Sequence, residues 1–471
     1  MAGLFATITA ASSALNADSQ AINVTSNNIA NLNNPDYSRE SVAFNDLGSV
    51  QTEDGPESMG VTTSLQQMRS TVLDQMVQQQ ASITSGVQAQ QNVLQQGQAS
   101  LGENITSAST SGSSSTTSTS GLSVALDNFF SAFQGLAANP TNSGGAETVV
   151  EQAGVLVDRF QEISSSLSQV QANADSQVSQ GVTTANNLLT QIAGLNSQIS
   201  ALNGAGSGAA AALVDQREGA LETLAGLIPI SVQTNAQGED QVSTTDTSGN
   251  PVALVTNASV PNSLSFSGGV ISAGSPPVAL GLSSGSLQGT LSATTGPIQT
   301  LQTGLDQLAQ QMVTSVNATY NPTNAANGNL FLSSGTTAGT IALDPNFTPG
   351  TVQAGTGAAG DNSIAVAVGN LVNRSFSTAS GDAIDGTITQ FYAGTVSNLG
   401  EALDTVNTEV TDQTNVQTVV VNQRQSVSGV SVDEEMAHLM TYQTAYQASS
   451  EVFQVLNSLL QNLTNNMVSA G

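Results

Sequence analysis

The chain has no cysteine and no lysine, one histidine, and only six basic residues, all arginine, among 471 residues. Each shortage removes a class of function. Without cysteine there is neither a disulfide nor a thiolate metal site. With His438 as the single histidine, a two-histidine metalloprotease helix is impossible, and any Ser-His-Asp triad would have to use that one side chain. Six arginines against 34 carboxylates leave a formal net charge of -28, a surface that repels phosphate backbones, so nucleic acid is not expected as a partner. No apolar run reaches the length of a membrane span. The first twenty residues, MAGLFATITAASSALNADSQ, lack the basic and continuous apolar regions of a secretory signal peptide. The expectation is a chain that does not enter a membrane and carries no cleaved leader. Charged residues make up only 8%, so its polarity comes from Ser, Thr, Asn, Gln and Gly.

What is present is helical periodicity at both ends. Ile8, Leu15, Ile22 and Ile29 recur every seven residues, with Leu4, Ala11, Thr25 and Leu32 as the complementary set and Asp18 as the misfit. This pattern predicts a helix from 4 to 32 with a coiled-coil-like stripe, about 40 Å long. Pro35 ends it, and the asparagines around it serve as turn formers. The other end repeats the pattern. Leu439, Tyr446, Phe453, Leu460 and Met467 are seven apart, Tyr442, Leu456 and Leu463 fill the second seam position, and Ser449 interrupts it. Gly429 breaks the chain, and Ser431 with Glu434 fits a capping box. Asp433, Glu434 and Glu435 lie in the first turn, where the helix dipole favours them. Capping accounts for that acidic cluster, and a structural role for His438; no catalytic, cofactor or metal site is expected. Two such helices facing each other leave Val452, Val455 and Leu459 uncovered. An isolated helix of this kind is marginal, so both ends are expected to become firm only on self-assembly.

Between the ends the sequence alternates texture. Helical spacing runs over 65–105, 122–138, 146–202 and 213–228, and the Ser/Thr-rich run at 109–121 reads as a solvated linker. Asp215 and Arg217 in LVDQREGALETLAGLI read as a solvated or packing pair. Residues 229–298 are rich in Gly, Pro, Ser and short Val/Leu runs, the pattern of short strands and hairpins. Gly281, Gly285 and Gly289 are spaced as turn residues and form no phosphate loop. Helix returns at 298–320, a Gly-rich irregular insert follows, and helices close the chain. The fold class expected is mainly α with a β-rich inserted domain, nested, with paired terminal helices and a central long-helix bundle. The units expected are 1–60 with 430–471 as a terminal helical assembly domain; 61–228 with 299–330 and 363–429 as the bundle; 229–298 as an exposed β-rich domain lying away from the ends; and 331–362 as the insert.

INVTSNNIANLNNPDYSRESVAF, residues 22–44, resembles the N-terminal segment of the axial proteins of the bacterial flagellum. The matching residues are Asn27, Asn28, Ile29, Ala30, Asn31, Pro35, Tyr37, Ser38 and Arg39, with Asp36 in place of the usual turn glycine. NQRQSVSGVSVDEEMAHLMTYQTAYQASSEVFQVLNSLLQNL, residues 422–463, resembles the C-terminus of the hook-associated protein 1 (FlgK) family, through Ser428, Gly429, Val430, Asp433, Glu434, Glu435 and the run Tyr442–Ser449. LVDQRE at 213–218 and FFSAFQGLAANP at 129–140 are similar to that family's central helical region. The resemblance implies a structural, non-enzymatic subunit at the hook–filament junction, outside the cell, exported by the flagellar type III pathway. It implies assembly with copies of itself in a ring or tube, with hook protein and hook-associated protein 3 as neighbours, and a cytosolic export chaperone on the C-terminus. The alternatives are another axial subunit, hook or rod, and a secreted adhesin.

Overall fold

The two ends of the chain form long helices that lie side by side: α1 (Ala2–Ala30) and α10 (Val432–Ser469). This is a computed structural model, and it describes residues 2–52, 55–58, 60–102, 121–204, 210–326, 328–357 and 360–469. The linker read at 109–121 falls outside them except for Gly121.

The segment after α1 departs from the helical reading. Glu40–Asp46 (β1) and Val61–Gln67 (β4) pair antiparallel, from Glu40 opposite Gln67 to Asp46 opposite Val61. The ribbon continues outward as β2 (Ser49–Thr52) and β3 (Gly55–Ser58). This hairpin lies along α1: the Val61 N–H donates to Ser13 Oγ at 3.1 Å, and Thr63 donates to Gln20. Phe44 reaches Tyr442 of α10, ring centroids 6.0 Å apart. Alternation over so short a polar strand gives little signal beside strong helical spacing, which is why the reading at 1–60 missed it.

The body is a bundle around α4 (Ser143–Gly204), whose 62 residues span about 90 Å. Phe129, Phe130 and Phe133 of α3 (Leu122–Ala138) meet Leu156 and Phe160 of α4 in the main core. The first half of α9 (Ile388–Ser428) joins this core through Ile388, Tyr392, Leu399 and Leu403. A capping box opens α9: Thr387 Oγ1 accepts from the Gln390 N–H while the Gln390 side chain accepts from the Thr387 N–H. The helix α2 (Thr71–Ser100) runs antiparallel to α9, joined by amides beside the shared core to which Val93 and Leu94 belong. Gln80 donates to the Gln413 side chain at 2.8 Å, and Gln91 donates to Asn407 at 2.6 Å.

The second half of α4, with α5 (Ala211–Leu227), carries the β-rich unit. Strands β5 (Ser231–Thr234), β6 (Asp240–Thr245) and β7 (Pro251–Val255) form one antiparallel sheet. Strands β8 (Leu264–Ser267), β9 (Val270–Ala273) and β10 (Val278–Ala279) form another. Leu189, Ile192, Leu224, Leu254 and Leu264 meet beneath them. Helix resumes earlier than the sequence pattern suggested. α6 (Ser286–Ala293) passes through a π-helical turn, Thr294–Ile298, into α7 (Gln299–Tyr320). The wide turn accommodates Pro297. The Gly-rich insert is irregular but not detached: Leu330, Phe331, Ile341 and Phe347 are buried in the main core. The short α8 (Ser363–Gly369) follows it, and an irregular stretch from 374 to 387, with one 3-10 turn at Thr378–Ser380, precedes α9.

Candidate assembly site

Where the terminal pair meets the body, the chain concentrates its scarce cations. Arg39, Arg69, Arg217 and Arg424, four of the six arginines, each close an ion pair between different elements. The joint begins at Asn28, buried near the end of α1. Its Nδ2 donates to the Glu40 carbonyl at 2.8 Å and to Glu435 at 3.0 Å. Its Oδ1 accepts from the Tyr37 hydroxyl at 2.8 Å and from the Glu40 N–H at 3.0 Å. Both donors and both lone pairs of one amide are thus used. Burial among Glu40, Asp215 and Glu435 pushes the Tyr37 hydroxyl's pKa up, so it stays a donor.

Arg39 completes the tie to α10. Its Nε donates to Glu435 at 2.7 Å and its Nη1 to Glu434 at 3.0 Å. The acidic first turn of α10 therefore holds Arg39 as well as serving the helix dipole, which corrects the capping-only reading; Asp433 alone stays exposed without a cation. The Arg39 N–H donates to the Ser428 carbonyl at 2.8 Å, and Ser428 Oγ donates to the Arg424 carbonyl. Gly429 follows as the residue after α9, and a Cβ there would run into the Gln425 carbonyl.

Helix α5 supports this joint from below. Asp215 accepts from Arg69 at 2.9 Å, from Gln67 at 3.2 Å and from the Ser38 N–H at 3.4 Å. Arg69 also lies 3.4 Å from Glu218 and 3.5 Å from Asp74. Burial pushes the Asp215 carboxyl up to about 6 and the Glu218 carboxyl up to about 7, with Arg69 acting in the opposite direction on both. Glu222, one turn on, pairs with Arg424 of α9 at 2.8 Å. On its other side α5 grips the β-rich unit: Arg217 lies 2.7 Å from Asp240 of β6 and donates to Asn196 and to the Gly238 carbonyl. Asp215 and Arg217 are buried and serve different partners, so they are not a pair. Two positions on a helix are about 200° apart and point opposite ways. One helix, α5, separates the β-rich unit from the N-terminal loop, so that unit does not lie far from the ends as the sequence order suggested.

Chemically this arrangement positions helices. The lone histidine, His438, is exposed and stacks on Tyr442, centroids 5.9 Å apart. Among the described residues no cluster of three or more His, Asp or Glu side chains has metal-binding geometry, and no helix is long and apolar enough to cross a membrane.

Three family models match the chain. "Flagellar hook-associated protein FlgK helical domain" matches residues 108–333. "Flagella basal body rod protein" matches 8–37, and "Flagellar basal body rod FlgEFG protein C-terminal" matches 421–467. Relatives described as "Flagellar hook-associated protein 1" align along nearly the whole length. The one from Bacillus subtilis is 25% identical and covers 100% of both chains. The ones from Escherichia coli K12 and Salmonella typhimurium are 25% and 24% identical, covering 97% of this chain and 98% of theirs. Along its whole length the chain is similar to the flagellar hook-associated protein 1 family.

It is accordingly a structural component of the bacterial flagellum. A solved structure described as the flagellar hook junction protein FlgK from Burkholderia pseudomallei shares the fold, with a TM-score of 0.62 at 15% identity, over 75% of this chain and 100% of that one. In this chain the joint gathers three stretches that were separate motifs in sequence: Asn28 to Arg39, LVDQRE, and Ser428 to Glu435. Within the first, Asn27 and Ala30 are exposed, Asn31 caps back onto the Asn27 carbonyl at 2.9 Å, and Pro35 lies at the surface.

The heptad residues are distributed differently from the seam drawn from sequence. On α1 the buried stripe is Ala17, Asp18, Ala21, Val24, Thr25 and Asn28. Ile8, Leu15, Ile22 and Ile29 are half-buried at its edge. Small residues at the centre let α10 and the hairpin both come close. The two misfits of the heptads meet, as Ser449 Oγ donates to Asp18 at 3.2 Å. On α10, Leu439, Tyr442, Phe453, Leu456 and Leu460 are half-buried, while Tyr446 and Leu463 are exposed. The side chains of Leu4 and Met467 lie outside the described residues.

Proposed function

We propose that this chain joins hook to filament and assembles through its terminal helices, and that it reaches its site by the flagellar type III pathway. One observation carries the reading. Among the described residues 22 large apolar side chains are exposed, and all but Val155, Val270, Val278, Leu332 and Val366 lie on the terminal pair, its hairpin, the adjoining parts of α2 and α9, or the segments that link these elements. Apolar surface concentrated at one end of a long molecule marks an association surface. Val452, Val455 and Leu459 of α10 are among the residues left open. The half-buried Ile8, Leu15, Ile22 and Ile29 and the seam of α10 would then be completed by neighbouring copies in a ring or tube. The terminal pair would gain its full firmness there.

The other partners follow from the family. Hook protein would lie on one side and hook-associated protein 3 on the other, and a cytosolic export chaperone would cover the C-terminal helix before export. The working location is then outside the cell. The near-absence of charge on α1 and α10 suits the wall of a tube through which other chains pass, since a neutral wall holds a charged chain less strongly. Deleting the gene tests the reading. Bare hooks and filament protein shed into the medium are expected, and filaments still attached to hooks would overturn it.

A further inference from the structure

The terminal pair is not the only uncovered apolar surface. Val72 and Val419 are each 64% exposed, more than any apolar residue of the terminal pair except Met440. They belong to a patch on the body. The antiparallel run of α2 and α9, in which Gln80 meets Gln413 and Gln91 meets Asn407, brings Met76 level with Val416 and Val419. At the end of the run, Met68 and Val427 line the same open groove of about 770 Å³, together with Leu32, Arg39 and Arg424. Val72 and Met76 are one turn apart on α2, and Val416, Val419 and Val427 fall within about a quarter of the circumference of α9.

Charge says what can cover this patch. Two copies each carrying -28 repel one another wherever carboxylates face. On α9, Glu401, Asp404, Glu409 and Asp412 are exposed, and the acidic run stops there. From Gln413 to Val432 there is no carboxylate, and the exposed valines begin at Val416. From Thr71 to Gly102 the one carboxylate is Asp74, buried beside Arg69. The one carboxylate lining this groove, Glu434, is already paired with Arg39, so a basic partner would find little to bind here, whereas a second strongly acidic chain finds a face it can approach. The groove that Val427 lines also reaches Val430 and Ser431 just before the start of α10, where Val432, Met436 and Met440 are exposed.

We propose that the α2–α9 face bearing Met68, Val72, Met76, Val416, Val419 and Val427 seats a second copy of this chain. The inference rests on the self-assembly reading and extends it: neighbours grip the body as well as the terminal helices. A native chain without cysteine makes the test direct. A benzophenone maleimide is placed on single-cysteine versions, Val72→Cys, Val419→Cys, Val455→Cys and Val155→Cys, in flagella isolated from cells producing them. After irradiation the partner peptides are identified by mass spectrometry. Adducts from positions 72 and 419 to peptides of the same chain in another copy are expected, with none from position 155. A same-chain adduct from position 455 alone overturns this proposal and leaves the assembly reading standing. Adducts from 72 and 419 to a different protein overturn it as well. No same-chain adduct from any position overturns both. Val72→Asp and Val419→Asp, at exposed positions that leave the fold intact, are expected to weaken copy-to-copy association at least about tenfold, and unchanged association would count against the face.

Discussion

Arg39 and Glu435 lie 396 residues apart in the chain and 2.7 Å apart in space. This contact fixes where α10 begins relative to the loop that follows α1. Glu435 is 2% exposed and Arg39 20%, so the carboxylate depends on its partners for solvation. Arg39→Ala leaves Glu435 with Asn28 alone. The expected loss is about 2–4 kcal/mol, below the upper end for a broken buried pair because Arg39 is partly solvated. Amide exchange should show lost protection over Val432–Met440 first. Glu435→Gln in the Arg39→Ala background is expected to recover part of that loss by removing the uncompensated charge. Equal protection in wild type and Arg39→Ala would show that the pair does not hold the helix.

Asn28 makes a sharper test, because its four hydrogen bonds leave no spare capacity. Asn28→Ala should cost about 2–3 kcal/mol by stranding buried partners. Asn28→Asp should cost more at neutral pH, since it loses both donors and places a second carboxylate beside Glu435, 3.0 Å from the amide in the native chain. Like charges raise a carboxyl's pKa, so the stability gap between Asn28→Asp and wild type is expected to close as pH falls. Thermal unfolding of both variants across the acidic range checks this. A gap that stays constant with pH would contradict it.

The sequence announced the long helices and not the joint. Seven-residue spacing at Ile8 to Ile29 and at Leu439 to Leu460 names two helices, but a helix face is settled by what packs against it. The β1–β4 hairpin took one side of α1 and pushed the isoleucine stripe to the edge of the contact, leaving Ala17 and Ala21 at its centre. The hairpin itself has too few apolar residues to register as alternation. The joint was missed because its partners are hundreds of residues apart. Scarcity carried an unused signal: with six arginines and 34 carboxylates, each cation should be a structural tie. Five of the six do form ion pairs, and Arg374 instead lies over Phe376, 5.0 Å from the ring centroid. LVDQRE was legible as an amphipathic helix. Its role as a clasp between hairpin, α9 and β6 required the fold.

The clasp gives the protein a pH dependence of definite sign. Burial raises Asp215 to about 6 from 3.8 and Glu218 to about 7 from 4.5. Asp74, Asp36 and Glu40 are also raised, burial again being the largest cause. Folded values above unfolded values mean that the folded state binds more protons between about pH 4 and 7, so stability falls as pH rises through that window. The calorimetric midpoint is expected to be higher at about pH 5 than at about pH 8. Self-repulsion of a chain this acidic acts in the same direction, so the discriminating measurement is Glu218→Gln. That variant should flatten the upper part of the slope, near pH 6 to 7. A slope identical to that of the wild type would place the effect elsewhere.

Removing residues 436–471 separates folding from assembly. Neither of the two large apolar cores contains a residue from this stretch, and Arg39, Glu434 and Glu435 would remain. The shortened chain is therefore expected to keep the thermal transition of the body within a few degrees, and to be unable to enter a junction. Truncation also removes any chaperone site, so a second variant is needed to isolate the surface. Val452→Asp with Val455→Asp and Leu459→Asp keeps α10 full length and changes only exposed positions. Secretion of this variant at wild-type level, without attached filaments, is the outcome that assigns the stripe to copy-to-copy contact. Normal filaments on its hooks would mean that the uncovered face of α10 stays uncovered in the assembled flagellum.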